Sequence, residues 1–281
     1  MDFPEVSKTE WLAKVEKDLK GKPLDSLNFS LAGEAMSPFW HREDLPESPA
    51  PLARKPDWKL GVHIQVTDLV AANKVALQEL AGGAEYLYFT HLGLIRSPED
   101  RELLLQGIFQ EMIDIVVHDT SLKPWLPITL AKVPNQLFLF SLLPDQPVFW
   151  LKAEKNFYLN LATVRAVRIC LQLIQERLGE QRLVPIGVVI SPEHDSPDTA
   201  KIDATSKAVS AITGGADILL LDPSDGQPGS VFSRRIARNV NHLLQQESHL
   251  GWVADPAAGS YFLDNLTDTI ARQLWSEFQS L

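Results

Sequence analysis

One cysteine in 281 residues excludes a disulfide framework and any cysteine-rich zinc site. No uninterrupted apolar run reaches the roughly 18 residues that a bilayer span needs. Basic residues are in deficit, with 26 Lys+Arg against 36 Asp+Glu and a formal charge of −10. So acidic a chain, without a dense basic run, repels phosphate backbones and anionic lipid, and neither nucleic acid nor a membrane is an expected partner. The opening MDFPEVSKTE is acidic and polar where a secretory leader would be basic and then apolar. The expected setting is a reducing cytoplasm. The P-loop, the strand-borne Gly-x-Gly-x-x-Gly, His-Glu-x-x-His and Gly-x-Ser-x-Gly are all missing, which removes the simplest signatures of nucleotide, zinc and serine-hydrolase sites. What is present, 45% hydrophobic and 22% charged residues, is the composition of a globular chain able to bury a sizeable core.

The text changes character near residue 58. Residues 1–57 read as an N-terminal arm. Ser7-Lys-Thr-Glu10 is a capping box, Trp11, Val15 and Leu19 recur at helical spacing, and Gly21 supplies the stop. An extended stretch, residues 27–40, follows. Pro46, Pro49, Pro51 and Pro56 then predict a stiff linker.

Residues 58–281 alternate strand and helix. Strands are expected over residues 59–65, 85–89, 113–117, 186–190 and 217–221, with Trp252 and Val253 as a short last one. Helices are expected after Thr67 or Asp68, after Ser97-Pro98-Glu99-Asp100, over 157–178, after Ser196-Pro197-Asp198, over 232–247 and at the C-terminus. Residues 76–87 and 208–219 repeat one joint: a helix, a Gly-Gly pair and a buried strand, with the first glycine expected at positive φ. The repeat predicts an α/β fold, a reduced or irregular TIM (β/α)8-type barrel carrying an N-terminal helical arm. Five prolines between Pro124 and Pro147 predict lost or irregular outer helices around the apolar segments 126–130, 137–140 and 148–151.

Barrel enzymes build their sites at the C-terminal ends of strands. His63 and Gln65 alternate at the end of the first strand, Asp222 ends the 217–221 strand and Asp255 follows the expected last one. These four are the barrel-mouth candidates; helix capping and loop hydrogen bonding are the alternative use. His242 and His249 share a helix face, where solvent exposure is weighed above metal binding. Cys170, among Val167, Ile169 and Leu171, is expected as a buried, inert thiol. Arg234, Arg235 and Arg238 could grip a phosphate, but such runs more often make salt bridges. The bulky strands 186–190 and 217–221 predict a filled interior rather than a channel.

Several motifs in order carry a resemblance. Gly214-Gly-Ala-Asp217, Arg235-Ile-Ala-Arg-Asn239, Gln246-Glu-Ser-His249, Asp255-Pro-Ala-Ala-Gly-Ser-Tyr261, Asp264-Asn-Leu-Thr-Asp268 and Trp275-Ser-Glu-Phe278 together resemble the barrel domain of the methylmalonyl-CoA mutase family. Asp18-Leu-Lys-Gly21 and Ser37-Pro-Phe-Trp-His-Arg-Glu-Asp44 are similar to its N-terminal arm, and residues 156–166 to its helix beginning N-F-F-x-E-I-A-K-x-R-A. In active members adenosylcobalamin, held by an Asp-x-His-x-x-Gly loop of a separate domain, supplies the radical that interconverts methylmalonyl-CoA and succinyl-CoA. Nothing in this chain matches that loop. The resemblance places Asp203 where active members carry the arginine of Arg-x-Thr, with Thr205 kept, and Asp217 and Leu220 where they carry substrate-contacting Gln and His. An acid reverses the charge offered to a carboxylate, and a leucine handles no proton.

The resemblance therefore implies the small, or beta, subunit: a barrel that is not an enzyme on its own and that pairs with and stabilises the catalytic large subunit in a heterodimer. It implies adenosylcobalamin on that partner and no cofactor or metal on this chain. Trp11, Phe39 and Trp40 are the candidate interface anchors, unless the arm wraps its own barrel. Two other readings stay open. One is a stand-alone acyl-CoA-binding barrel, or a mutase using cobalamin from another chain. The other is a homo-oligomeric scaffold, such as a homodimer formed when the chain is alone.

Overall fold

A computed structural model describes residues 6–44, 52, 57–119, 125–129, 137–141, 148–179, 183–193 and 196–279. Helix α1 (Lys8–Leu19) opens on the expected capping box, in which Glu10 N–H donates to the Ser7 hydroxyl and Ser7 N–H to the Glu10 carboxylate. The extended stretch is a hairpin, β1 (Phe29–Leu31) against β2 (Glu34–Met36), turned by Ala32 and Gly33 at φ 53° and 74°. Leu31, Ala32 and Met36 enter the largest core cluster, Trp40 packs against it, and Gln273 donates to the Ala32 carbonyl. The arm thus packs on its own barrel. The proline linker, apart from Leu52, lies outside the described residues.

The remaining strands are β3 (Lys59–Gln65), β4 (Tyr86–His91), β5 (Asp114–Asp119), β6 (Trp125–Thr129), β7 (Leu137–Ser141), β8 (Phe149–Lys152), β9 (Ile186–Ile190) and β10 (Ile218–Leu221). They form one sheet in the order β5-β4-β3-β10-β9-β8-β7-β6. The first six are parallel, and β7 and β6 join antiparallel. The parallel part curls into a half-barrel, and the described pairings leave β5 and β6 as its edges. The helices are α2 (Leu69–Ala81), α3 (Pro98–Leu104), α4 (Phe157–Leu178), α5 (Pro197–Gly214), α6 (Val231–Gln246) and α7 (Tyr261–Phe278). Between β5 and β8 the described residues are those of β6 and β7, and the segments in which the prolines predict lost or irregular outer helices lie outside the described residues. Trp252 and Val253 are a correction: they lie exposed in a turn, Trp252 stacked on His249 at 4.1 Å. The place beside β10 that a last strand would take is filled, because β10 already pairs with β9 on one edge and β3 on the other.

Strand alternation sorts the side chains onto two faces. Outward, Ile64, Leu87 and Phe89 pack on α2 and α3, while Leu151, Val188, Ile190, Leu219 and Leu221 pack on α4 to α7. Inward, Tyr86, Tyr88, Val116, Trp150, Ile218 and Leu220 fill the concavity as one cluster, as the bulky strands led us to expect. Two glycines make room for it. A Cβ on Gly61 would collide with Leu220, and one on Gly187 with the ring of Trp150. Gly187→Ala is therefore expected to cost about 1–3 kcal/mol, because a buried indole in a packed interior has nowhere to go. Urea denaturation reads this directly, and an unchanged midpoint would show the interior to be loose.

The Gly-Gly joint divides its labour differently from expectation. In both copies it is the second glycine, Gly83 or Gly215, that takes positive φ, at 95° and 102°. The first is needed for close approach: a Cβ on Gly82 would strike Arg238, and one on Gly214 would sit 2.6 Å from the Leu161 carbonyl oxygen. Helix α4 is long and apolar enough to cross a membrane by length and composition, but it packs between α5 and α7 as a core helix.

Candidate functional site

The inward face turns polar at the C-terminal edge of the strands. There β3 presents His63 and Gln65, β4 presents Thr90, and Ser191 and Asp222 follow β9 and β10. His63 is held at both ring nitrogens: Nδ1 lies 3.0 Å from Asp222 Oδ1 and Nε2 lies 2.9 Å from Thr90 Oγ1. Ser191 Oγ donates to Asp222 Oδ2 at 2.7 Å. The loop after β10 folds back so that Gln227 Nε2 reaches both Asp222 Oδ1 and the His63 carbonyl, each at 2.9 Å. Tyr88, below His63 on the same face, hydrogen-bonds through its hydroxyl to His118 Nδ1 at 3.0 Å.

Burial works against ionisation of Asp222, but bonds from His63, Ser191 and Gln227 outweigh it and hold the carboxyl below its ordinary value. The ionised carboxylate only accepts, so His63 Nδ1–H donates to it, and in the neutral imidazole Nε2 then accepts from the Thr90 hydroxyl. A stability effect follows. An acid with a depressed folded pKa stabilises the fold above its unfolded value, about 3.9, and that contribution is lost as pH falls through the folded pKa. Asp222→Asn is expected to be less stable than the parent at pH 7, with the gap closing below about pH 4. A gap of constant size from pH 7 to 3 in urea titrations would show that ionisation of Asp222 contributes nothing.

Of the mouth candidates, His63, Gln65 and Asp222 do share the mouth. Asp255 is a correction. It sits before α7 in the outer helix layer, accepting from Leu52 N–H and pairing with Arg165 of α4. Without a strand at 252–253, nothing carries it to the mouth. Asp217, matched to a substrate-contacting position, lies at the foot of β10, where it pairs with buried Arg168 and accepts from Ile186 N–H at 2.7 Å. Asp203 lies on α5, paired with buried Lys207 at 2.8 Å. Leu220 alone of the three faces the interior. In the arm, Trp11 and Phe39 meet edge to face at 5.3 Å, half-buried, while Trp40 packs on the core.

Other sequence candidates prove structural. Arg234 and Arg238 bind Glu79 of α2, and Arg235 lies over the Phe232 ring. His242 holds the Gly82 carbonyl at 2.9 Å. Burial pushes the Cys170 thiol up to about 11, which leaves it protonated and unreactive. Sequence reasoning missed Thr90, Ser191 and Gln227. Strand alternation could have found the first two. Gln227 reaches the site only through the fold-back of its loop.

Together these features define a β/α half-barrel with a filled interior and a polar cluster at its mouth. Residues 144–281 match the family model described as methylmalonyl-CoA mutase. The probable methylmalonyl-CoA mutase small subunit of Mycobacterium bovis is 38% identical over 149 residues, covering 47% of this chain and 24% of that protein. The small subunit of Porphyromonas gingivalis is 40% identical over 140 residues, covering 45% and 22%. A methylmalonyl-CoA mutase homolog of Alkalihalophilus pseudofirmus is 42% identical over 76 residues, covering 26% and 52%. Over its C-terminal half the chain is similar to methylmalonyl-CoA mutases, and most of these relatives are small subunits. The matched stretch spans about a quarter of those subunits' length.

Proposed function

We propose that this chain is a partner in a methylmalonyl-CoA mutase complex that does not itself carry the mutase reaction, a heterodimer in which the large subunit carries substrate and adenosylcobalamin and this chain stabilises it in the cytoplasm. The observation that carries the reading is the filled interior. In a family whose active barrels handle an acyl-CoA, Tyr86, Tyr88, Trp150 and Leu220 occupy the middle of this one. Acid or leucine stands at the register-matched catalytic positions, and two of the three, Asp203 and Asp217, are tied into ion pairs away from the mouth. The residues present do not fit the corrin. The Asp-x-His-x-x-Gly sequence is missing, and His63 at the mouth has both ring nitrogens engaged. The proposal therefore assigns adenosylcobalamin to the partner.

The test is co-expression with a cobalamin-binding large subunit from the same organism, read by sizing chromatography and mutase assay. A stable one-to-one complex whose activity depends on this chain is the expected result. A chain that elutes alone beside a fully active large subunit would overturn the reading. The arm's share is read with Trp11→Ala plus Phe39→Ala, which leaves the core-packed Trp40 in place.

A further inference from the structure

Asp222, His63 and Thr90 stand in a line: carboxylate to Nδ1, Nε2 to hydroxyl, at 3.0 and 2.9 Å. This is the arrangement of acid, base and nucleophile that activates a hydroxyl for acyl transfer. Asp222 is fixed from two further sides, by Ser191 and Gln227, so it can orient the imidazole. Ser191 donates its own proton to Asp222, which leaves Thr90 as the hydroxyl facing the base. Thr90 and His63 are both only partly buried, so a small substrate can reach them. Gln65 completes the set. It pairs in register with Thr90 across β3 and β4, lies on the same face, and is exposed. Its amide has no hydrogen-bond partner among the described residues, and so is free to donate to an oxygen bound beside Thr90.

We propose that Thr90, His63 and Asp222, with Gln65 as oxyanion donor, form an acyl-transfer site for small activated esters and thioesters, independent of the pairing role. Thr90 Oγ1 attacks the carbonyl carbon and passes its proton to His63 Nε2. The oxygen of the tetrahedral intermediate takes the Gln65 amide hydrogen bond. The carbonyl carbon's bond to the leaving alkoxide or thiolate then breaks, and the leaving group takes the proton from His63. Water next attacks the acyl-threonine, giving its proton to His63. The bond from the acyl carbon to Thr90 breaks, His63 returns the proton to Thr90, and a carboxylic acid is released. No oxidant or reductant is needed.

The probe is p-nitrophenyl acetate, with release of p-nitrophenolate followed in time and the acid-quenched chain mapped by peptide mass spectrometry. The expected result is a burst of about one equivalent and an acetyl group on the peptide containing Thr90. Thr90→Val, His63→Gln and Asp222→Asn should each slow the burst at least tenfold, and Gln65→Ala should slow it with the fold unchanged by circular dichroism. Thr90→Ser, which keeps the hydroxyl, should retain it. If Thr90→Val fails to fold, His63→Gln compared with Thr90→Ser gives the same answer. Acetylation confined to lysines, or a burst unchanged in these variants, would overturn the proposal. Failure of the mutase pairing would leave it standing, since the readout uses this chain alone.

Discussion

Arg165→Ala is expected to cost about 3–5 kcal/mol, the scale for breaking a buried ion pair from one side. Arg165 lies on α4 with its side chain 2% exposed, paired with Asp255 through Nη1 and with Asp264 through Nη2. Those carboxylates are 4% and 1% exposed. Removing the guanidinium leaves two like charges together in the core. The protein already strains there, since burial pushes the Asp264 carboxyl up against the pull of Arg165. In the variant the two carboxylates face each other without a counter-ion, so protonation relieves the folded state first. The deficit should be largest at pH 7 and shrink as pH falls through the carboxylate range. Arg165→Met combined with Asp255→Asn and Asp264→Asn strands no charge and should cost less than the single change. Urea denaturation at two pH values reads both effects, and a deficit that grows on acidification would refute the account.

Glu79→Ala should be of similar size, about 3–5 kcal/mol. Glu79 is 2% exposed on α2, where it accepts from Arg234 Nε at 3.0 Å and pairs with Arg238. Arg234 also donates to Gln78 and to the carbonyls of Pro228 and Gly229. Loss of the carboxylate strands two guanidiniums between α2 and α6. It also loosens the loop that carries Gln227 back to His63 and Asp222. The variant should therefore lose stability and local order at the mouth together, the second read as faster amide exchange across residues 222–230. A destabilised variant with unchanged exchange there would separate the clamp from the site.

These two clusters explain why the family motifs drew attention without marking a site. Asp255 and Asp264 begin two C-terminal motifs, and Arg165 belongs to the motif at the head of α4. The structure joins them as one buried staple between α4 and α7. Asn160, from the α4 motif, donates to Ser210 Oγ and to the Lys207 carbonyl of α5 at 2.6 and 3.3 Å. The sequence signal in these motifs is thus that of helix packing. A buried charge or amide must meet its partner, and that partner comes from another helix.

Most elements were legible without coordinates. The spans of β3, α4 and β9 agree with expectation because each carries its own period, and the helix starts at Ser7, Asp68 and Ser97 because caps are local chemistry. Alternation likewise placed His63 and Gln65 on one face of a strand, and the −10 charge and the single cysteine set broad limits on chemistry. What the sequence by itself determined, then, is what depends on neighbours a few residues away: periods, caps, turns and composition. Tertiary structure alone decided which faces meet. It closed both edges of β10 and denied Trp252 and Val253 a strand, sent Asp255 to Arg165 instead of the mouth, and gave the Gly-Gly joints their close approaches to Arg238 and Leu161. It also brought Thr90, Ser191 and Gln227 to His63 and Asp222 from across the chain, because hydrogen bonds and packing are satisfied in space and not along the sequence.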